Sequence, residues 1–213
     1  MTTTTADTVT DGHQPSAEQV RRGRRMALLL FAVGFGPMIL ASVMYYTGWL
    51  NPTDSVNEGE LFDPIVPVAS LNLETRTGEP LAARFEPGVA DPQWLMLVVA
   101  NTCTESCERL MYLARQVNIA LGKNAPNVSR AAYLGTVPAD LERRWAQEYQ
   151  RMERLQAAAG TTPSWPAAIN PAEASRILLV DPYGNVMMHY GEEHTGKQIL
   201  KDLKHLLKLS QIE

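Results

Sequence analysis

Apolar and polar positions divide the chain into one uninterrupted apolar stretch and a longer region where apolar side chains recur periodically. Met26–Leu50, MALLLFAVGFGPMILASVMYYTGWL, holds no charged side chain. A helix of that length exceeds a ~30 Å hydrocarbon core, so residues 26–50 predict a transmembrane helix, tilted or overhanging the interface. Tyr45, Tyr46 and Trp49 gather at its C-terminal end, where aromatic rings favour the headgroup layer, and Arg21, Arg22, Arg24 and Arg25 stand at its N-terminal end. The positive-inside bias then puts residues 1–25, a polar and disordered tail, in the cytoplasm and all that follows residue 50 on the far side. A cleavable signal peptide has the same basic-to-apolar order, but here the apolar run is too long and the basic residues begin too far from the start. Pro37 is tolerable within a membrane helix.

Beyond the span, residues 51–70 carry Pro52, Pro64 and Pro67 and read as an extended tether. Residues 71–213 read as one folded domain, of a size that supports a core. Leu71–Thr75 alternates, Thr77–Pro80 has turn chemistry and Leu81–Phe85 returns, which predicts a hairpin. Trp94–Ala100 (WLMLVVA) is continuously apolar, as a strand buried on both faces would be. From Thr104 to Leu121 the period becomes helical, with Cys107, Leu110, Met111, Ala114, Val117 and Leu121 on one face and Gly122 as a stop. Val128–Leu134 predicts a strand, and 140–159 an amphipathic helix along Leu141, Trp145, Met152 and Leu155. A proline-rich loop follows, then strands at 177–180 and 186–190 around the turn Asp181–Asn185, and a closing helix over Lys197–Leu209. Strands alternating with helices predict a central mixed sheet flanked by helices, an α/β thioredoxin-like domain behind one transmembrane helix.

Charge narrows the partners. The formal net charge is −4, with residues 1–25 at +1 and the remainder at −5. An acidic domain with no run of basic residues argues against nucleic acid. The chain has no phosphate-cradling Gly-rich loop, no HExxH and no paired C-x2-C zinc spacing.

The candidate chemistry lies in the two cysteines, Cys103 and Cys107, at the junction of the apolar strand and the helix. Residues i and i+4 of a helix share a face at ~6 Å between Cα atoms, within reach of a disulfide and of a shared soft metal such as Cu(I). A helix start also favours thiolate, the form that attacks disulfides and binds metals. A plain structural disulfide is the other reading, although so short a loop gains little from closure. Copper would need a third donor. Of the four histidines, His189 and His194 flank the exit of the last strand and are the candidates; His13 is on the wrong side of the membrane, and His205 falls on a solvated helix face. Met111 continues the Cys103–Cys107 face by one turn.

The anchor, Cys103, Cys107 and Leu178-Leu-Val-Asp-Pro-Tyr-Gly184 occur in the order found in the SCO/SenC family of cytochrome c oxidase assembly proteins, which this chain resembles over about residues 90–210. That resemblance implies a thioredoxin-like fold, copper as cofactor and oxidase subunits or their assembly factors as partners. Two departures stand out. Glu108 replaces the proline that follows the second cysteine, and the family's histidine position, counted back from Pro182, falls on Glu173, with no His between Asn170 and Ser175. Cys103 to Lys123 also resembles a small transmembrane protein encoded in proteobacterial cytochrome oxidase gene clusters, through Cys-x3-Cys-Glu-Arg-Leu-x-Tyr-Leu-x-Arg-Gln-Val-x-x-Ala-Leu-Gly-Lys. The resemblance implies a bacterial inner-membrane protein with a periplasmic domain. Three functions follow: an oxidase assembly factor handling copper or thiol redox through Cys103 and Cys107, a general thiol-disulfide oxidoreductase, or an interaction module with a structural disulfide.

Overall fold

Trp94–Thr102 (β3) lies in the middle of a seven-stranded sheet. The computed structural model describes residues 17–47, 57–89 and 91–210. They fall into two compact units, Met1–Ser55 and Val56–Glu213. In the second, the other strands are β1 (Glu60–Pro67), β2 (Leu73–Thr75), β4 (Val128–Thr136), β5 (Met152–Ala157), β6 (Arg176–Val180) and β7 (Asn185–Tyr190). Its helices are α2 (Glu105–Ala120), α3 (Ala139–Glu148) and α4 (Gly196–Leu209). The sheet order is β1-β7-β6-β3-β4-β5-β2. β3 runs parallel to β4 and antiparallel to β6, and β4 runs parallel to β5.

The continuous apolar sequence of β3 follows from burial on both sides. Trp94, Met96, Val98 and Ala100 face one core, and Leu95, Leu97 and Val99 face the other. The first core is closed by Leu110, Met111 and Val117 of α2, Leu141 and Trp145 of α3, and Ile199, Leu203 and Leu207 of α4. The second is closed by the 3-10 turns Val68–Leu71 and Leu81–Phe85, with Trp165 and Ile169 from the proline-rich loop. This is the expected mixed α/β sheet with both faces covered.

Three segments differ from their sequence patterns. The expected helix 140–159 is α3 followed by a strand. α3 stops at Glu148, Tyr149 leaves helical geometry at φ −124, and β5 then pairs with β4 and β2. Met152 packs in one core and Leu155 in the other, as residues three apart do on a strand but not on a helix. The free edge of β4 is satisfied by this pairing, which outweighs the helical spacing of four apolar residues. The expected return strand Leu81–Phe85 is a 3-10 turn: the return bridges β2 only at Glu74–Pro80, and β2 takes its ladder from β5. Much of the expected tether is β1, an edge strand on β7. Its prolines Pro64 and Pro67 suit an edge, where a missing N–H costs no ladder bond.

The start of this unit is clasped to α4. The Asp202 carboxylate accepts the backbone N–H groups of Glu58 (2.9 Å) and Gly59 (2.9 Å) and the Tyr190 hydroxyl (3.1 Å). Gly59 is required by this approach, since a Cβ there would stand 2.5 Å from the Tyr190 ring. Thr195 and Gln198 form a reciprocal capping box at the start of α4.

The first unit contributes α1 (Ala17–Thr47), whose most apolar window has a mean hydropathy of 2.2 and which has no buried residue. The helix is long and apolar enough to cross a membrane. It begins at Ala17 rather than Met26, so the arginine cluster expected in the tail is helical; the AEQVRRGRR stretch is made mostly of good helix formers. Residues 1–16, Trp49, Leu50 and the first part of the expected tether lie outside the described residues.

Replacing Asp202 by Ala leaves two N–H groups without their acceptor and the Tyr190 hydroxyl with only the Met188 sulfur, and is expected to lower unfolding free energy by at least about 1–3 kcal/mol, against about 1 kcal/mol for Tyr190→Phe. Chemical unfolding of the full chain in detergent measures both, and equal values for the two variants would show the clasp to be idle.

Candidate functional site

β3 carries the chain to Thr102, and Thr104 opens α2 from an extended conformation at φ −98 and ψ −175. Cys103 lies between them, and its N–H donates to the Thr136 carbonyl at the end of β4 (3.1 Å). Cys107 is in the first turn of α2. The two are joined as a disulfide with a Cα–Cα distance of 5.1 Å, so the structure brings together the pair that the spacing marked. Cys103 is 3% exposed and Cys107 wholly buried. The Met111 sulfur, one helical turn on and also buried, lies 3.9 Å from the Cys103 sulfur.

The local field is mixed. The α2 N-terminus favours a thiolate, whereas Glu105 and Glu108 in its first turn disfavour one. Arg144 of α3 offsets Glu108 at 2.8 Å and also reaches Asp140 (3.1 Å) and Glu148 (3.3 Å). Hydrogen bonding to Glu108 and Asp140 holds the Arg144 guanidinium above its ordinary pKa. No sequence pattern pointed to Arg144, because its role depends on α3 packing beside α2.

The two candidate histidines stand elsewhere. On β7, Met188 and Tyr190 face the cysteine-side core, while His189 packs on Phe62 of the opposite core at 4.9 Å between ring centroids. Period-2 alternation therefore sets His189 on the other face of the sheet from the sulfurs. Its Nδ1 is buried without a hydrogen-bond partner, and its Nε2 lies 3.4 Å from a Glu60 carboxylate oxygen. His194 accepts the Gly191 N–H at Nδ1 (3.0 Å), and its Nε2 donates to the Glu58 carbonyl (3.0 Å). Both its nitrogens are engaged in holding Glu58, near the start of the second unit, against the β7–α4 connection. Among the described residues no three His, Cys, Asp or Glu side chains converge as a metal centre requires. The donors within reach of one another are Cys103, Cys107 and Met111.

The loop that carries Glu173 touches this end of the sheet, since Asn101 N–H donates to the Pro171 carbonyl (2.9 Å). Glu173 itself is exposed and accepts from the Asn170 amide (2.7 Å).

A model of the transmembrane-like, thioredoxin-like C-terminal domain matches residues 94–210, and one of the transmembrane-like N-terminal domain matches residues 18–48. The chain belongs to the transmembrane-like, thioredoxin-like family. Membership bears out the expected fold and the resemblance to a thioredoxin-like transmembrane protein, and with α1 it indicates an N-terminal membrane anchor. No curated protein matches the sequence. Solved structures similar to this family member include apo Sco1 of Thermus thermophilus, with a TM-score of 0.48 and 13% identity over 74% of this chain and 100% of that one. Copper-bound yeast Sco1 has a TM-score of 0.44 and 12% identity over 73% and 95%. Copper-bound ScoI of Bradyrhizobium japonicum has a TM-score of 0.41 and 15% identity over 69% and 98%. Likeness of this degree leaves the cysteine chemistry to be argued from this chain's own residues.

Burial, partly countered by Glu60 and reinforced by the charges of Arg176 and His194, holds His189 below the ordinary histidine range, with Glu193 opposing weakly. The fold thus favours the neutral ring. Its contribution to stability is intact above the unfolded value of ~6.5 and is lost as pH falls below it. The unfolding midpoint should drop between roughly pH 7 and 5, and less in His189→Gln; parallel profiles for the two proteins would show that this ring does not titrate on unfolding.

Proposed function

We propose that this family member is a membrane-tethered assembly factor for a haem-copper cytochrome c oxidase, anchored in a bacterial inner membrane with its N-terminus cytoplasmic and its folded domain periplasmic. The domains of the reading are the tail, the membrane helix, a short tether and the thioredoxin-like domain. Cys103 and Cys107 are its working group. The observation that carries this reading is the position of the disulfide, where the central strand meets the α2 N-terminus. The motif from Cys103 to Lys123 supports the oxidase context.

The chemistry follows from the pair. In the dithiol state, a Cys103 thiolate attacks one sulfur of a disulfide in the partner, forming a mixed disulfide and releasing the partner's other sulfur as thiolate. Cys107 then displaces the partner's remaining sulfur. The partner leaves with two thiols and this chain with the Cys103–Cys107 bond, so two electrons pass to the partner. Cys103 takes the attacking role in this reading because it stands at the strand–helix junction ahead of α2, whereas Cys107 is inside the helix. A copper-site cysteine pair in an oxidase subunit is a fitting substrate, and confinement to the same membrane raises its effective concentration. The reduced pair beside the Met111 thioether is also a soft donor set suited to Cu(I) as cargo. His189 and His194 would join such a set only after leaving their present contacts. The near-complete burial of both sulfurs favours a second reading, a structural disulfide in an interaction module.

A redox titration of the full chain in detergent separates these readings. Exchange activity predicts a potential in the range of known exchange catalysts, whereas a potential below roughly −300 mV supports the structural disulfide. Anaerobic Cu(I) titration of the reduced chain is expected to give one-to-one binding that is lost in Cys103→Ser and Cys107→Ser and weakened in Met111→Leu; binding unchanged in the serine variants would sink the copper role. Arg144→Gln exposes Glu108 beside Cys107 and should make the pair more reducing, because the nearby negative charge disfavours thiolate. An unshifted potential would remove Arg144 from the site. Protease accessibility from the periplasmic side of intact cells checks the orientation.

A further inference from the structure

Away from the cysteines, on the same face of the sheet, three arginines that are scattered in sequence come to one cavity. Arg115 comes from α2, Arg130 from β4 and Arg151 from the turn between α3 and β5, and together they line a cavity of about 270 Å³. Arg130 is only 8% exposed. Among the described residues none of the three guanidinium groups has a hydrogen bond or an ion pair to another side chain or the backbone. Tyr149, 4% exposed, lines the same cavity. The one acid on the wall, Glu148, pairs with Arg144 at 3.3 Å.

This arrangement is costly for an empty fold. A guanidinium remains protonated at any physiological pH, and holding one in a mostly buried side chain that meets only cavity solvent, with no counter-charge, is unfavourable. Two further guanidiniums on the same wall add repulsion. Burial first, then the charges of Arg151 and Arg115, push Arg130 below its ordinary pKa, in keeping with a cation that has no counter-charge nearby. Elsewhere in the domain, the more exposed Arg84 and Arg154 are paired, with Glu153 and Glu142.

We propose that the Arg115–Arg130–Arg151 cavity binds a phosphate-type oxyanion. Three planar forks offer more N–H donors than a single carboxylate has lone pairs, whereas the oxygens of a phosphate group can accept from all three and its charge of up to −2 matches them better. The phosphate could be free or the headgroup of an anionic lipid, and the chemistry at the arginines is the same. This site is independent of the cysteine reading. It also gives Arg115, part of the Cys103–Lys123 motif, a role that disulfide exchange does not.

The test uses the full chain in phosphatidylcholine nanodiscs, titrated with inorganic phosphate at constant ionic strength against chloride, with thermal unfolding as readout. The expected result is a saturable rise in midpoint, with apparent affinity weakened roughly tenfold in Arg115→Gln and in Arg151→Gln and abolished in Arg130→Gln. Arg151 is exposed and Arg115 half-buried, so their variants carry the test even where Arg130→Gln fails to fold. A second arm replaces part of the phosphatidylcholine with phosphatidylglycerol. A rise there that depends on Arg115 and Arg151, and to which free phosphate adds nothing, identifies the lipid headgroup; a rise with free phosphate in pure phosphatidylcholine identifies a soluble ligand. No arginine-dependent rise in either arm overturns the proposal.

Discussion

The requirement that β3 be buried on both faces and hydrogen-bonded on both edges organises this domain. Its alternating side chains divide the interior into two cores, and its backbone is satisfied by β4 on one side and β6 on the other. A strand held this way has no freedom of register, because a one-residue slip would exchange the two sets of side chains. The point at which the chain leaves the sheet is therefore fixed, and Cys103 is the first residue beyond it. The N–H of Cys103 still reaches Thr136, one step past the last β3–β4 pair. The disulfide thus sits on the most firmly determined part of the fold, and Cys107 is delivered to it by the first turn of the helix that covers the strand.

That helix does more than position a cysteine. Its buried stripe from Cys107 through Val117 closes the cysteine-side core. At its beginning, Glu108 is neutralised from α3 by Arg144. Farther along, Arg115 lines a cavity with Arg130 and Arg151, where the one acid on the wall, Glu148, is paired with Arg144. The two ends of the α2–α3 seam are therefore opposite in character: one is a closed charge network beside the sulfurs, the other an open cationic cavity. Both belong to the face of the sheet that carries all three α-helices of the domain.

The histidines illustrate how context overrides chemical type. His189 and His194 have the right donor atoms for copper, yet one lies on the far face of the sheet and the other spends both nitrogens on backbone groups. His194, Asp202 and Tyr190 together tie residues 58–59, near the beginning of the domain, to β7 and α4. These polar groups are buried at modest cost because their partners are supplied, with His189 Nδ1 the exception.

Much of the architecture was legible in the sequence because it rests on local periodicity. The apolar span, the doubly buried β3, the α2 stripe ending at Gly122, the Asp181–Asn185 turn and α4 each state their structure within a few residues. The i,i+4 cysteines at a strand–helix junction likewise announced their own proximity, which needs only one helical turn. What the sequence could not decide was settled by pairing across the sheet. Met152 and Leu155 have helical spacing, but the open edge of β4 recruits them as a strand; the proline-bearing 60–67 segment becomes an edge strand because β7 needs a partner. The same holds for function. Whether a histidine can reach a sulfur, whether an arginine has an acid, and which cations share a cavity depend on residues far apart in the chain, and such long-range juxtapositions exist only once the sheet has closed.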